Sequence, residues 1–88
     1  MKLKYEFQTV EVAGEKIAVP LIHDGDTFHG ALRVNEVASA ILDLLKNDTT
    51  EDAMIDSLLT EYRASREEIA KSVHKIVEKL RKAELLVE

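Results

Sequence analysis

The sequence lacks cysteine and has no long apolar run. Without cysteine in its 88 residues, the chain has no disulfide framework and no thiolate metal ligands, which fits a reducing compartment. Its three glycines, Gly14, Gly25 and Gly30, lie too far apart to form a phosphate-binding loop. No apolar run approaches the roughly 20 residues of a membrane span, and the charged opening segment MKLKYEFQTVEV is not typical of a signal peptide. We therefore expect a cytoplasmic protein without membrane contacts.

The composition is that of a small globular protein. Hydrophobic residues make up 45% of the chain and charged residues 33%, a balance that favours folding over disorder. A chain of this length builds one core, so we expect a single domain over residues 1–88. The net charge of −5 disfavours a nucleic-acid partner, because binding to phosphates favours a basic surface.

The first part of the chain has the alternation of β-strands. Apolar residues alternate from Leu3 to Phe7 and then change parity at Val10 and Val12, which predicts a bulge or bend near residues 8–9. The segment AGEK, residues 13–16, supplies a glycine for a hairpin turn. Pro20 has no amide hydrogen and is expected at a gap in the ladder. The predicted strands lie near residues 3–12, 16–22 and 30–34.

After Val34 the apolar period changes to about 3.6, which indicates helices. Asn35 is a candidate N-cap, and Ser65 and Glu68 have the spacing of a capping box. Helices are predicted near residues 35–46, 50–62 and 65–82, and LLV at 85–87 is either a short strand or an apolar tail. The apolar stripe of the last helix is predicted to be Ile69, Val73, Ile76 and Leu80, with Val77 at its flank. The predicted fold is α+β, a three-stranded antiparallel sheet followed by a three-helix bundle.

The segment HDGDTFHG, residues 23–30, contains two histidines and two aspartates. It lacks the order of a calcium loop and the paired spacing of a zinc site. Asp-Gly-Asp is typical of a tight turn, so we interpret this segment as a strand connection and expect no metal. The chain shows neither a cofactor motif nor a serine with a histidine at catalytic spacing, so we expect a non-catalytic binding module that needs no cofactor.

The helical half of the sequence resembles the PqqD family, the family of pyrroloquinoline quinone biosynthesis protein D. The resemblance includes Asn35-Glu36, Glu61-Tyr62 and Leu85-Leu86, together with apolar positions on the first and last helices. These apolar positions are Ala38, Ile41, Leu44, Leu45, Val73, Ile76, Val77 and Leu80. The chain departs from the family's usual pattern at several positions, including Val37 and Glu84, and the resemblance does not extend to the quinone pathway itself.

The resemblance implies a fold like a winged helix-turn-helix and a module that recognises a precursor peptide. Such modules bind the leader segment of a ribosomally made precursor and present it to a modifying enzyme, often a radical S-adenosylmethionine protein. An exposed strand edge offers unpaired amides and carbonyls to an extended peptide. We therefore expect the leader to add to the third strand beside the last helix. The expected peptide-binding residues are Ala31, Leu32, Arg33, Val34, Ser72, Lys75, Ile76 and Lys79.

A winged-helix DNA-binding protein is the alternative interpretation. The order of the three helices fits it, and the lysines of the last helix are compatible with either a solvated face or a cationic rim. The charge balance does not fit, because acidic residues including Glu67, Glu68 and Glu78 are interleaved with the basic residues of this helix.

Overall fold

The computed structural model describes residues 1–21 and 32–88. The histidine- and aspartate-containing segment 23–30 therefore lies outside the described residues. The elements are β1 (Lys2–Leu3), β2 (Phe7–Val12), β3 (Glu15–Pro20), β4 (Leu32–Val34), α1 (Glu36–Leu44), α2 (Glu51–Glu61), α3 (Arg66–Lys82) and β5 (Leu86–Val87).

The fold is α+β, as the sequence predicts. An antiparallel sheet has the order β2–β3–β4, and the three helices follow it along the chain. Strands β1 and β5 form a second, two-stranded antiparallel sheet, so the C-terminal apolar segment becomes a strand. None of the helices in the two described ranges is long and apolar enough to cross a membrane.

The prediction of one continuous strand over residues 3–12 is wrong. The chain bends between β1 and β2, before the predicted bulge near residues 8–9, and the two strands belong to different sheets. The backbone N–H groups of Leu3 and Lys4 donate to the carbonyls of Leu45 and Leu85, at 2.8 Å in each case. These bonds to the helical half hold β1 away from the sheet that contains β2.

A two-residue turn joins β2 to β3. Val12 pairs with Glu15, and the two residues between them have positive φ angles, 52° at Ala13 and 81° at Gly14. Positive φ at both central positions is the signature of a type I′ turn, whose twist matches that of antiparallel strands. In such a hairpin the residues that flank the turn form a hydrogen-bonded pair, so the turn sets the register of β2 against β3.

The register determines which backbone groups face which neighbour. Hydrogen-bonded and non-hydrogen-bonded pairs alternate from Val12–Glu15 onward, and the 2.7 Å bond from the Leu21 N–H to the Glu6 carbonyl fits this alternation. Pro20 stands opposite Phe7 at a non-hydrogen-bonded pair, so its missing N–H costs no bond to β2. The expectation that Pro20 occupies a gap in the ladder is confirmed for the β2 side of β3.

Side chains alternate between the two faces of the sheet in the same register. The inner face packs against the helices and includes Ala18, which is fully buried, and Val34, which is 7% exposed. The outer face carries Val10 and Val12, which are 37% and 55% exposed. Arg33 stands opposite Ile17, which in turn stands opposite Val10, so the side chain of Arg33 also belongs to the outer face.

Each helix begins directly after a residue that caps its first turn, at the predicted caps Asn35 and Ser65 and at Thr50. The side-chain oxygens of Asn35, Thr50 and Ser65 accept hydrogen bonds from backbone N–H groups three residues later, at 2.8, 3.1 and 3.2 Å. These bonds satisfy N–H groups that a helix leaves without partners in its first turn. Asn35 directly follows β4, so α1 must begin beside the end of that strand.

The buried stripe of α3 differs from the prediction at two positions. Val77 is fully buried, whereas Ile76 is only partly buried. Helices α1 and α2 both pack against α3, which widens the buried arc toward Val77 and leaves Ile76 at its opposite margin. The buried residues of α3 are Ile69, Val73, Val77 and Leu80.

We predict that the Ala13–Gly14 turn is sensitive to backbone substitution. Gly14→Ala should lower the free energy of unfolding by about 1–2 kcal/mol, the cost of left-handed backbone for a residue with a Cβ. No described atom lies within 4 Å of the added Cβ, so the loss would come from the backbone. Ala13→Asn should raise stability, because Asn-Gly is the preferred pair in this turn. Urea denaturation of both variants measures these changes, and a Gly14→Ala variant as stable as the parent would contradict the turn assignment.

Candidate functional site

A groove lies between β4 and α3, with α1 at its base. Its volume is about 190 Å³. Five of the residues predicted for peptide binding line it: Arg33, Ser72, Lys75, Ile76 and Lys79. The structure thus brings together residues of the third strand and the last helix that are about 40 positions apart in sequence.

The three other residues predicted for peptide binding are Ala31, Leu32 and Val34. Leu32 is partly buried and Val34 is buried, both on the inner face of the sheet, so their side chains contribute to the core. Ala31 lies outside the described residues. What β4 can offer a ligand is therefore its backbone and the side chain of Arg33.

The backbone groups of Arg33 point away from the sheet. Leu32 and Val34 stand opposite Ala18 and Lys16, at positions where the register directs the N–H and C=O groups of β3 and β4 toward each other. Arg33 stands opposite Ile17 in the intervening non-hydrogen-bonded pair. Its N–H and C=O consequently face the outer edge of β4, the side on which a further strand can pair.

The residues of α3 around the groove follow from helical geometry. At 100° per residue, Ile76, Ser72, Lys79 and Lys75 succeed one another around the helix, starting beside the core and ending in solvent. Ile76 and Ser72 are partly buried, while Lys75 and Lys79 are exposed. The groove therefore has an apolar wall near the core and a cationic rim.

Some basic residues of α3 outside this rim form ion pairs with carboxylates. Lys71 pairs with Glu67 at 3.8 Å, and Arg81 pairs with Glu88 at 2.7 Å and with Glu78. The Arg81 guanidinium also holds the pKa of Glu88 below its usual value, chiefly through their hydrogen bond. Within residues 1–21 and 32–88, no carboxylate forms an ion pair with either lysine of the rim.

Sequence reasoning missed the contribution of α1 to the groove. Asn35, Val37, Ala38 and Ile41 also line it, and Ile41 is fully buried at its base. The available signal was the absence of a linker between β4 and α1, because a helix that begins next to an edge strand must flank that edge with its first turns.

Larger cavities also occur in the described part of the chain. One of about 590 Å³ adjoins β4 and is lined by Gly14, Arg33 and Val34 among others. Another of about 540 Å³ lies between the β1–β2 bend and α1, lined by Tyr5, Phe7 and Leu42 among others. Another, of about 650 Å³, includes His74, whose Nδ1 is 3.3 Å from a carboxylate oxygen of Glu51. In the described part of the chain, no cluster of three or more histidine or acidic side chains is arranged to hold a metal ion.

Comparison with known families identifies the chain. The family described as "Coenzyme PQQ synthesis protein D (PqqD)" matches residues 21–86, which include β4, all three helices and the whole groove. The chain belongs to the PqqD family. Among curated proteins, no sequence matches it.

A solved structure has the same fold as this PqqD-family chain. It is described as "TbiB1 in Complex with the TbiA(beta) Leader Peptide", and it aligns with a TM-score of 0.69 at 20% sequence identity. The alignment covers 98% of this chain and 94% of the other. The shared fold therefore includes the N-terminal strands, which precede the segment that matches the family.

We predict that Ile76 and Val77 have separable roles despite their adjacency. Val77→Ala should reduce the free energy of unfolding by about 1.5–3 kcal/mol, the value of a fully buried valine side chain. Ile76→Ala should cost roughly half of that or less, because part of its side chain already contacts solvent in the groove. Chemical denaturation of both variants tests this difference. A larger loss for Ile76→Ala would place Ile76 in the core and remove it from the groove.

Proposed function

We propose that this PqqD-family protein recognises the leader segment of a ribosomally synthesised precursor peptide and presents it to a modifying enzyme. The leader binds by strand addition to β4, and the modifying enzyme is of a class such as the radical S-adenosylmethionine proteins. The protein acts as a non-catalytic cytoplasmic module, a single domain over residues 1–88 that uses no cofactor of its own.

The edge of β4, which pairs with no further strand among residues 1–21 and 32–88, carries this proposal together with the groove beside it. An added strand needs outward N–H and C=O groups for its backbone and adjacent pockets for alternate side chains. Arg33 supplies the outward backbone groups. The groove receives those side chains of the peptide that point toward α3.

The family and the fold support the same role. The matching family is described by its part in the synthesis of the coenzyme PQQ, and the TbiB1 structure contains a leader peptide on the same fold. The groove residues then indicate the chemistry of the ligand. Ile76 and Ile41 favour an apolar side chain, whereas Lys75 and Lys79 favour acidic residues nearby.

The charge distribution does not favour the alternative, DNA binding. The chain has a net charge of −5, so contact with many phosphates would bring acidic residues close to the duplex. On α3, Glu67, Glu68 and Glu78 occupy positions among the basic residues. A helix that reads the major groove normally presents a more uniformly basic or neutral surface to the phosphates.

The first test concerns the backbone of Arg33. Short random peptides are displayed and selected for binding to the full chain, and an enriched peptide is synthesised as the reference ligand. We expect this peptide to slow amide hydrogen exchange at Arg33, whose N–H faces outward, with little change at Leu32 and Val34, which are already bonded to β3. Enriched peptides that protect only β2 or α2, or a selection without enrichment, would contradict strand addition at β4.

Proline substitution gives a matched genetic version of this test. Arg33→Pro removes the outward N–H and should weaken binding of the reference peptide more than Arg33→Ala, which removes only the side chain. Leu32→Pro removes an N–H that faces β3 and should instead lower stability. Circular dichroism and thermal unfolding are the controls that test whether Arg33→Pro is folded. Equal affinities for Arg33→Pro and Arg33→Ala would show that the edge N–H does not bind the peptide.

The second test concerns the cationic rim. The double substitution Lys75→Gln and Lys79→Gln should slow association with the reference peptide and reduce the salt dependence of its rate, since rim charges act mainly on encounter. The control is Lys71→Gln with Lys82→Gln, which makes the same charge change on α3 outside the groove. Stopped-flow association at several salt concentrations separates the two. Equal effects of the two double variants would mean that only net charge matters.

A further inference from the structure

We propose that Arg33 selects an acidic residue of the leader, and that Glu15 competes with this residue for the guanidinium group. This inference deepens the proposed function and depends on it, because it requires the leader to add as a strand to β4. It names the ligand as a peptide segment in which one acidic residue is flanked on both sides by apolar residues.

The two faces of the sheet carry the argument. In β4 the side chains of Leu32 and Val34 belong to the inner face, and that of Arg33 belongs to the outer face. A strand that adds to β4 continues this pleat, so residues directly opposite each other lie on the same face. The leader residue opposite Arg33 therefore stands on the outer face, beside the guanidinium.

The neighbouring leader residues face the other way. Side chains before and after the residue opposite Arg33 point to the inner side of the added strand, where Ile76 and the first turns of α1 line the groove. These two positions favour apolar residues. Pairs of opposite charge directly across neighbouring strands are favourable, so the central position favours Asp or Glu.

Glu15 already contacts the same guanidinium. Its carboxylate oxygen Oε2 is 3.5 Å from Nε of Arg33, and the two side chains are 54% and 81% exposed. Glu15 neighbours Ile17 on the same face of β3, so it reaches Arg33 diagonally, whereas a leader residue would stand directly opposite. An exposed ion pair of this kind is weak, and a carboxylate from an added strand can displace it.

Arg33 stands at a boundary between opposite charges. On one side Lys75 and Lys79 line the groove. On the other, a depression is lined by Arg33 and Lys16 together with three acidic residues, Glu11, Glu15 and Glu36. A carboxylate opposite Arg33 is therefore attracted by the guanidinium and repelled mainly by Glu15, the acid that forms an ion pair with it. Removal of the Glu15 charge should therefore raise the affinity for the peptide. If Glu15 itself contacted the peptide favourably, the same change would lower the affinity.

The experiment measures affinity for the reference peptide selected above. Glu15→Gln should bind it about 2–5-fold more tightly, as expected for relief of an exposed ion pair. The matched control is Glu11→Gln, which makes the same charge change in the same depression, whereas the ion pair of Arg33 within the described residues is with Glu15. Arg33→Gln should weaken binding by a similar factor and should abolish the gain from Glu15→Gln in the double variant.

A second selection tests the identity of the central residue. Peptides selected with the parent chain should share an acidic residue between two apolar ones, and selection with Arg33→Glu should replace the acidic residue with Lys or Arg and keep the apolar pair. Equal effects of Glu15→Gln and Glu11→Gln, or the same central residue in both selections, would overturn this inference. The proposed function would still stand if the Arg33 amide were protected by peptide, and would fail separately if it were not.

Discussion

The hydrogen-bonding register of the β2–β3–β4 sheet is the constraint on which the rest of the site depends. The register begins at the turn of Ala13 and Gly14, where both φ angles are positive. From that turn, strict alternation decides that Lys16 and Ala18 bond to β4 and that Arg33 does not bond back. A slip of one residue would exchange the faces of every side chain, burying Arg33 and turning its backbone groups inward.

Helices α1 and α3 flank this edge, and together with β4 they line a groove that has an apolar wall and a cationic rim. Asn35 caps α1 directly after β4, so the first turns of α1 close the base of the groove. Helix α3 lies across from the strand and presents Ile76 at the margin of the core and Lys75 and Lys79 further out. In the proposed mode of binding, the backbone edge would give affinity for an extended chain, while the apolar wall and the cations would restrict which chains fit.

The helices, and the α3 residues that line the groove, could be predicted from the sequence because both depend on local signals. Caps at Asn35 and Ser65 mark helix starts, and a stripe of apolar residues marks a buried face. The break of the first strand was predicted too late, since it depends on bonds from Leu3 and Lys4 to Leu45 and Leu85, which are distant in sequence. Local periodicity carries no information about such partners.

The wrong prediction of burial at Ile76 and Val77 has a similar origin. Val77 is buried and Ile76 only partly buried, the reverse of what the apolar stripe predicts. A helical wheel gives the direction of each side chain but not how many neighbours pack around the helix, and here both α1 and α2 contact α3. The orientation of the Arg33 backbone could not be predicted from the sequence either, because it depends on the register of three strands and not only on the presence of one strand.

The central claim is that a peptide becomes the fourth strand of this sheet, paired with β4 through Arg33. The most direct measurement is the set of intermolecular nuclear Overhauser effects in the complex of the full chain with the selected peptide. The account predicts backbone contacts between the peptide and residues 32–34, with the Arg33 N–H close to a peptide backbone group and peptide side chains close to Ile76. A peptide bound as a helix, or backbone contacts confined to β2, would contradict it.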